Sequence, residues 1–142
     1  MSTTAGYVEV PTREGAKGAL DKAVLMAAVA ESMTGDRAWN ELVLEKVVSA
    51  GNAADGQVQC WADFVEKLPY RREDGEVYRS WREVVQRGGD CDDLTILVLA
   101  GCRSLGVPAV PEVLVDDQGH GFHVRARVGL PPRKLLDGGG GE

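Results

Sequence analysis

Apolar residues recur at steps of three and four positions through most of the chain up to Leu105, a period typical of amphipathic helices. Ser or Asp residues stand where several of these stretches begin, and glycine or proline stands where they end. In the first stretch the predicted inward positions are Ala16, Ala19, Leu20, Ala23, Val24, Ala27, Ala30 and Met33. In chain order, the helices predicted by the pattern cover 15–33, 37–49, 54–68, 81–86 and 91–105.

After Gly106 the pattern changes to an alternation of apolar and polar residues, which predicts β-strands. Two strands, 109–115 and 122–128, are separated by the turn-forming residues of 116–119 and are therefore expected to form a hairpin. A further short strand is predicted over 133–137, and 7–10 is predicted to be an edge strand or an extended arm. Helices followed by an antiparallel sheet make this an α+β fold, in which the last helix is apolar almost all round and is expected to be buried on every side.

Alternation assigns the side chains of the second hairpin strand to two faces. Val124, Ala126 and Val128 share the face toward the apolar core. The opposite face carries His123, Arg125 and Arg127. The two arginines are expected to receive an acidic substrate or to form ion pairs with their neighbours.

Composition narrows the class of protein. The 142 residues, 44% of them apolar, suit one compact domain. The net charge of −6, without a run of Lys or Arg, argues against nucleic acid as a partner. The apolar segment 23–30 is too short to span a membrane. Three cysteines, an odd number, indicate a reducing compartment or a reactive thiol, so we predict a cytoplasmic protein.

The sequence Gly88-Gly89-Asp90-Cys91 marks the entrance of the last helix. With Asp90 as the predicted N-cap, Cys91 lies in the first turn, where unpaired N–H groups and the helix dipole favour a thiolate. Asp92 and Asp93 act in the opposite direction, because carboxylates raise the pKa of a neighbouring thiol. The sequence leaves open which effect is larger, and the alternative is that Cys91 is a half-buried apolar residue.

Three residues occur in an order suited to nucleophilic catalysis. Cys91 would attack a carbonyl carbon. His123 would take the thiol proton, or hold it as an ion pair with the thiolate, and would later protonate the leaving group. Asp137 would orient the imidazole, and the backbone N–H of Cys91 would be one oxyanion donor. Tyr70 and Trp81 are candidates for a second donor, although packing is an alternative role for each. His120 is the alternative histidine.

A metal site is the competing interpretation of the two histidines. His120 and His123, together with Asp116 or Asp117, include residue types that bind zinc. A three-residue spacing suits a helix, however, whereas here it falls on a turn and the start of a strand, which sends the two side chains to opposite faces. We therefore predict no metal and no other cofactor.

The chain resembles the transglutaminase-like cysteine hydrolases, especially their small bacterial and prophage members, over roughly 54–137. The resemblance rests on four segments that together are fairly specific: Trp61-Ala62-Asp63-Phe64-Val65 leading to Tyr70, Gly89-Asp90-Cys91-Asp92-Asp93-Leu94, Arg103-Ser104-Leu105-Gly106-Val107-Pro108, and Phe122-His123-Val124.

The resemblance implies a papain-like or transglutaminase-like core, in which the cysteine opens a central helix packed on a small antiparallel sheet. Residue by residue it assigns Cys91, His123 and Asp137 as the triad. It divides a single domain into an N-terminal helical part, 1–53, a catalytic-core-like part, 54–137, and a glycine tail, 138–142. Arg125 stands where the family often has an aromatic residue, and Gly138 replaces a common proline after the aspartate.

The implied activity is acyl transfer or hydrolysis of an amide or peptide bond through a thioester, with a protein or peptide as substrate. Water as the acceptor would make the protein a cysteine protease or amidase, which is the favoured outcome. A lysine amine would make it a protein-crosslinking transglutaminase. The remaining alternative is a non-catalytic binding or assembly module, for example a phage-encoded one, that keeps the fold.

Overall fold

The computed structural model describes residues 2–4, 7–9, 15–71, 79–115 and 122–129, with side chains over 20–71, 79–114 and 124–129. This part of the chain forms an α+β fold with five α-helices, a short 3₁₀ turn at Val48–Ala50, and two separate two-stranded antiparallel sheets. The helices are α1 (Gly15–Met33), α2 (Arg37–Val47), α3 (Ala54–Glu66), α4 (Trp81–Arg87) and α5 (Cys91–Ser104). The strands are β1 (Ser2–Thr4), β2 (Tyr7–Glu9), β3 (Ala109–Val115) and β4 (Phe122–Val128).

Side-chain caps start three of these helices where the sequence predicts them. Asp36 accepts hydrogen bonds from the N–H groups of the first turn of α2, and Ser80 does so for α4. Asp90 accepts from the N–H of Asp93 in α5, while the Asp93 carboxylate accepts from the N–H of Asp90, so the two aspartates form a reciprocal capping box. Gly106, at φ +78°, follows the end of α5 in the left-handed conformation that glycine adopts without strain.

Helix α5 is the centre of the fold, because it packs against the four other helices and against both strands of the β3–β4 hairpin. Its buried apolar residues are Ile96, Leu97, Leu99, Ala100 and Cys102. The other helices contribute Met26, Trp39, Val43, Trp61 and Val84, each completely buried. The core is therefore one cluster arranged around α5.

An aromatic cluster fixes how α3 packs on α5. The indole N–H of Trp61 donates to the carbonyl of Leu97 at 3.0 Å, and the ring meets that of Trp39 edge to face at 5.4 Å. Gly101 makes this approach possible. A Cβ atom at that position would lie 2.0 Å from Nε1 of Trp61, closer than any real contact.

The β3–β4 hairpin has the predicted bounds, with Ala109 paired to Val128 and Leu114 paired to His123. Val124 is buried, whereas Arg125 and Arg127 are exposed, as the alternation predicts. Strand β2 pairs with β1, a partner that the sequence pattern did not predict. The predicted third strand over 133–137, the hairpin turn over 116–119 and the glycine tail lie outside the described residues.

Two predictions about burial are wrong. Leu20 and Val24 were expected to face inward, but they are 55% and 68% exposed, because α1 buries the side that carries Ala23, Met26 and Ala30. Helix α5 is not buried all round either. Cys91 in its first turn is exposed, and Leu94, Thr95 and Val98 on the same side are only partly covered.

Candidate active site

Cys91 is the first residue of α5, and its side chain is exposed. The capping box just described fixes the backbone on either side of it. The hydroxyl of Thr95, one turn further along, donates to the carbonyl of Cys91 at 2.8 Å. The sequence prediction that Cys91 opens the central helix is therefore confirmed.

The loop before Cys91 is held against the segment that follows α3. The N–H of Gly89 donates to the carbonyl of Pro69 at 3.1 Å, and the N–H of Arg71 donates to the carbonyl of Gly89 at 2.8 Å. Gly88 has a φ of +92°, and a Cβ there would lie 2.0 Å from the carbonyl oxygen of Pro69. Glycine at this position permits the close approach of the two backbones.

A buried ion pair lies beneath this loop. Nη1 of Arg79 is 2.8 Å from Oδ2 of Asp93, and the two side chains are only 6% and 0% exposed. The backbone N–H of Arg79 also donates to Asp93, at 3.0 Å, and Nη1 donates to the carbonyl of Arg71 at 3.2 Å. Burial raises the pKa of Asp93 to about 6, while hydrogen bonds from Arg79 and Asp90 and the guanidinium charge lower it. Asp93 therefore joins α5, the loop and the segment after α3 through an ionised side chain at neutral pH.

The surroundings of the thiol answer the question that the sequence left open. Partial burial and the carboxylates of Asp92 and Asp90 raise the pKa of Cys91, while the ammonium group of Lys22 lowers it. Nζ of Lys22 is 3.2 Å from Oδ2 of Asp92, and this carboxylate offsets much of the effect of the ammonium charge on the thiol. The thiol is therefore the dominant form at neutral pH, and any catalytic role requires a base to remove its proton.

Replacing Asp92 with asparagine is expected to make Cys91 more reactive. The change removes the negative charge next to the thiol and leaves Lys22 without that counter-ion, and both effects lower the pKa of Cys91. The rate of alkylation by iodoacetamide at pH 7 should rise roughly threefold to tenfold, since the thiolate fraction grows tenfold for each unit by which the pKa falls. Mass spectrometry of the Cys91 peptide measures it. Asp63→Asn, an exposed change on α3, is the control, and an unchanged rate in Asp92→Asn contradicts the prediction.

His123 lies on strand β4, which packs against α5. Hydrogen bonds from Arg103 to the carbonyl of Ala109 and from Gly129 to the carbonyl of Pro108 fix one end of the hairpin near the C-terminus of α5. Ala126 of β4 lines a groove together with Leu94, Thr95 and Val98 of α5. The side chain of His123, and all of His120 and Asp137, lie outside the described part of the chain, so their roles stay predictions.

The other predicted site residues have structural partners or lie at the surface. The indole N–H of Trp81, the sole donor of its side chain, points to Asp36 at 3.3 Å, and its ring packs on Trp39, which assigns it the packing role. Arg125 forms an ion pair with Glu112 at 3.0 Å across the hairpin, the alternative role that the sequence had allowed. The side chain of Tyr70 is 65% exposed, and its backbone bridges to Gly89.

The remaining cysteines differ sharply from Cys91. Burial raises the pKa of Cys102 to about 11, and the half-buried thiol of Cys60 donates to the carbonyl of Lys46 at 3.2 Å.

Within the described ranges no group of three or more Cys, His, Asp or Glu side chains could hold a metal ion. None of the helices described is both long and apolar enough to cross a membrane.

Sequence reasoning missed the ion pair of Arg79 and Asp93. The spacing of Asp90 and Asp93 was a usable signal, because an acidic residue three positions after an N-cap can complete a capping box. Nothing local marked Arg79, which lies fourteen residues before its partner.

No family model, curated protein or solved structure matches this chain.

Proposed function

We propose that this chain is a cysteine-dependent acyltransferase or hydrolase with a papain-like or transglutaminase-like core, and that Cys91 is its nucleophile. The observation that carries the proposal is the position of an exposed thiol at the first turn of the central helix, directly after a loop anchored by the Arg79–Asp93 pair. A thiol used only for packing would not require such an anchored approach. Nucleophiles require it, because small errors in position slow attack strongly.

The proposed chemistry combines Cys91 with His123. Sγ of Cys91 attacks the carbonyl carbon of an amide or peptide bond while His123 accepts the thiol proton. The backbone N–H of Cys91 donates to the oxygen as it becomes negative. The C–N bond then breaks, His123 returns the proton to the leaving amine, and a thioester remains on Cys91. Water or a second amine attacks the thioester and restores the thiol.

The raised pKa of Cys91 favours one version of this mechanism. A thiolate and imidazolium formed in advance would need a site that lowers the pKa of the thiol, whereas burial and the aspartates raise it. His123 is therefore proposed to act as a general base during attack rather than as a permanent counter-ion. Asp137 is proposed to orient the imidazole, and a protein or peptide is the proposed substrate. Hydrolysis remains the favoured outcome over crosslinking.

Acylation by p-nitrophenyl acetate tests the proposal. The wild-type protein should release p-nitrophenol in a burst and gain one acetyl group on the Cys91 peptide, and Cys91→Ala should lose both while its melting temperature stays the same. His123→Ala should slow acetylation by about a hundredfold or more, which is the usual contribution of a general base. Cys60→Ser is the matched control and should behave like wild type. If His123→Ala acetylates at the wild-type rate, the thiol reacts without a base and the chain is better explained as a non-catalytic module.

A further inference from the structure

The incompletely covered side of α5 opens into a groove of about 310 Å³ between α3, α5 and β4. This volume is at the small end of the range for ligand pockets, and it fits one or two side chains rather than a large ligand. Its walls are mainly apolar, and two polar residues complete the lining: Ala62, Val65, Glu66, Leu94, Thr95, Val98 and Ala126.

The groove begins one helical turn from the thiol. Cys91, Leu94, Thr95 and Val98 are spaced by three and four residues and therefore lie along one side of α5. The hydroxyl of Thr95 is already used by the carbonyl of Cys91, so Thr95 adds mainly a methyl group to the lining. When the carbonyl carbon of a substrate is at Sγ of Cys91, a neighbouring side chain of the substrate can lie along this side of α5.

Glu66 lies at the thiol end of the same groove. Helix α3 runs antiparallel to α5, since Trp61 packs at Gly101 and Tyr70 bridges to Gly89 just before Cys91. Going from Trp61 to Glu66 therefore leads toward Cys91. Glu66 is exposed, and it forms no ion pair with any residue in the described part of the chain.

We infer that this groove binds the acyl donor, taking an aliphatic side chain of the residue that supplies the carbonyl, while Glu66 binds a basic side chain next to it. The apolar lining favours the aliphatic group, and the carboxylate, on a chain with a net charge of −6, favours a cation over an anion. The inference rests on the proposed function and names its substrate class, a peptide in which a basic residue adjoins an aliphatic one.

Four activated esters test the inference on the full chain. They are the p-nitrophenyl esters of acetyl-Arg-Leu, acetyl-Arg-Gly, acetyl-Glu-Leu and acetyl-Glu-Gly, and the measured quantity is the second-order rate constant for acylation of Cys91. Leucine should be preferred to glycine by at least about tenfold, the discrimination typical of a hydrophobic pocket. Arginine should be preferred to glutamate by roughly twofold to fivefold, the effect of a single exposed charge.

Matched variants assign each preference to its residue. Ala62→Leu fills the groove and should remove the preference for leucine, whereas Ala28→Leu, at an exposed position of α1, should keep it. Glu66→Gln should remove the preference for arginine and Glu66→Lys should reverse it, whereas Glu45→Gln, an exposed change on α2, should keep it. Thermal melting by circular dichroism checks that each variant is folded.

The outcomes separate the two proposals. If p-nitrophenyl acetate and all four esters fail to acylate Cys91, the proposed function and the groove inference are both overturned. If acetate acylates Cys91 in a manner that depends on His123, but the leucyl and glycyl esters react equally, only the groove inference is overturned. If the preference for leucine persists in Ala62→Leu, the groove inference alone is again overturned, because the leucine side chain then binds elsewhere.

Discussion

Replacing Asp93 with alanine is expected to lower the free energy of unfolding by about 3 to 5 kcal/mol, the usual cost of removing one partner of a buried ion pair. The substitution takes the Asp93 carboxylate away from the guanidinium of Arg79, which is only 6% exposed, and the carboxylate of Glu83 is farther away, at 3.9 Å from Nε. It also removes the acceptor for the backbone N–H groups of Arg79 and Asp90. Urea denaturation followed by circular dichroism measures the loss.

Two comparisons make this result specific. Asp63→Ala removes an exposed carboxylate that accepts only from Gln59 among the described side chains, and it should change stability by less than about 0.5 kcal/mol. Replacing both partners together, Arg79→Met with Asp93→Leu, should recover much of the stability, because no unpaired charge is then buried. If Asp93→Ala unfolds at nearly the wild-type urea concentration, the pair does not anchor the loop as described.

The second large effect is expected from Gly101→Ala. The new methyl group would lie 2.0 Å from Nε1 and 2.2 Å from Cε2 of the fully buried Trp61, so the ring must move and its hydrogen bond to Leu97 must weaken. Overpacking and the lost hydrogen bond together should lower the free energy of unfolding by about 3 to 5 kcal/mol.

Gly56→Ala is the matched control for that substitution. Its Cβ would meet the nearest atom, the carbonyl oxygen of Ala50, at 3.4 Å, which is an ordinary contact. Because alanine favours helix over glycine, this variant should gain up to about 1 kcal/mol. Thermal and urea denaturation of both variants measure the difference. Equal stabilities would show that α3 and α5 can separate enough to accept a side chain at Gly101.

Local signals account for the parts of the fold that the sequence predicted well. Caps such as Asp36, Ser80 and Asp90 act on the first helical turn, so they identify helix starts without knowledge of the tertiary structure. The change of period after Gly106 identified the hairpin for the same reason. In α1, by contrast, apolar residues occur on more than one side, and the pattern could not show that Leu20 and Val24 face away from α5.

In the candidate site, too, neighbouring residues in the sequence predicted some features, whereas others depend on tertiary packing. The position of Cys91 followed from Asp90 and the two glycines, which are its neighbours in sequence. The direction of its pKa shift depends first on how far packing buries the thiol and then on the charges of Asp92, Asp90 and Lys22, and Lys22 belongs to a helix far away in the chain. Arg79 and Glu66 were missed because their roles arise from packing, and neither stands in a local motif.

The central place of α5 has a consequence for the order of folding during synthesis. Helices α1 to α4 leave the ribosome before α5 does, and their apolar surfaces pack on a helix that has not yet appeared. Once α5 emerges, its faces toward β3 and β4 stay uncovered until the hairpin follows. Contacts that join distant parts of a chain form slowly, because the intervening loop must first close. The nascent chain therefore gains most of its stability late, and until then the exposed helices are potential substrates for chaperones.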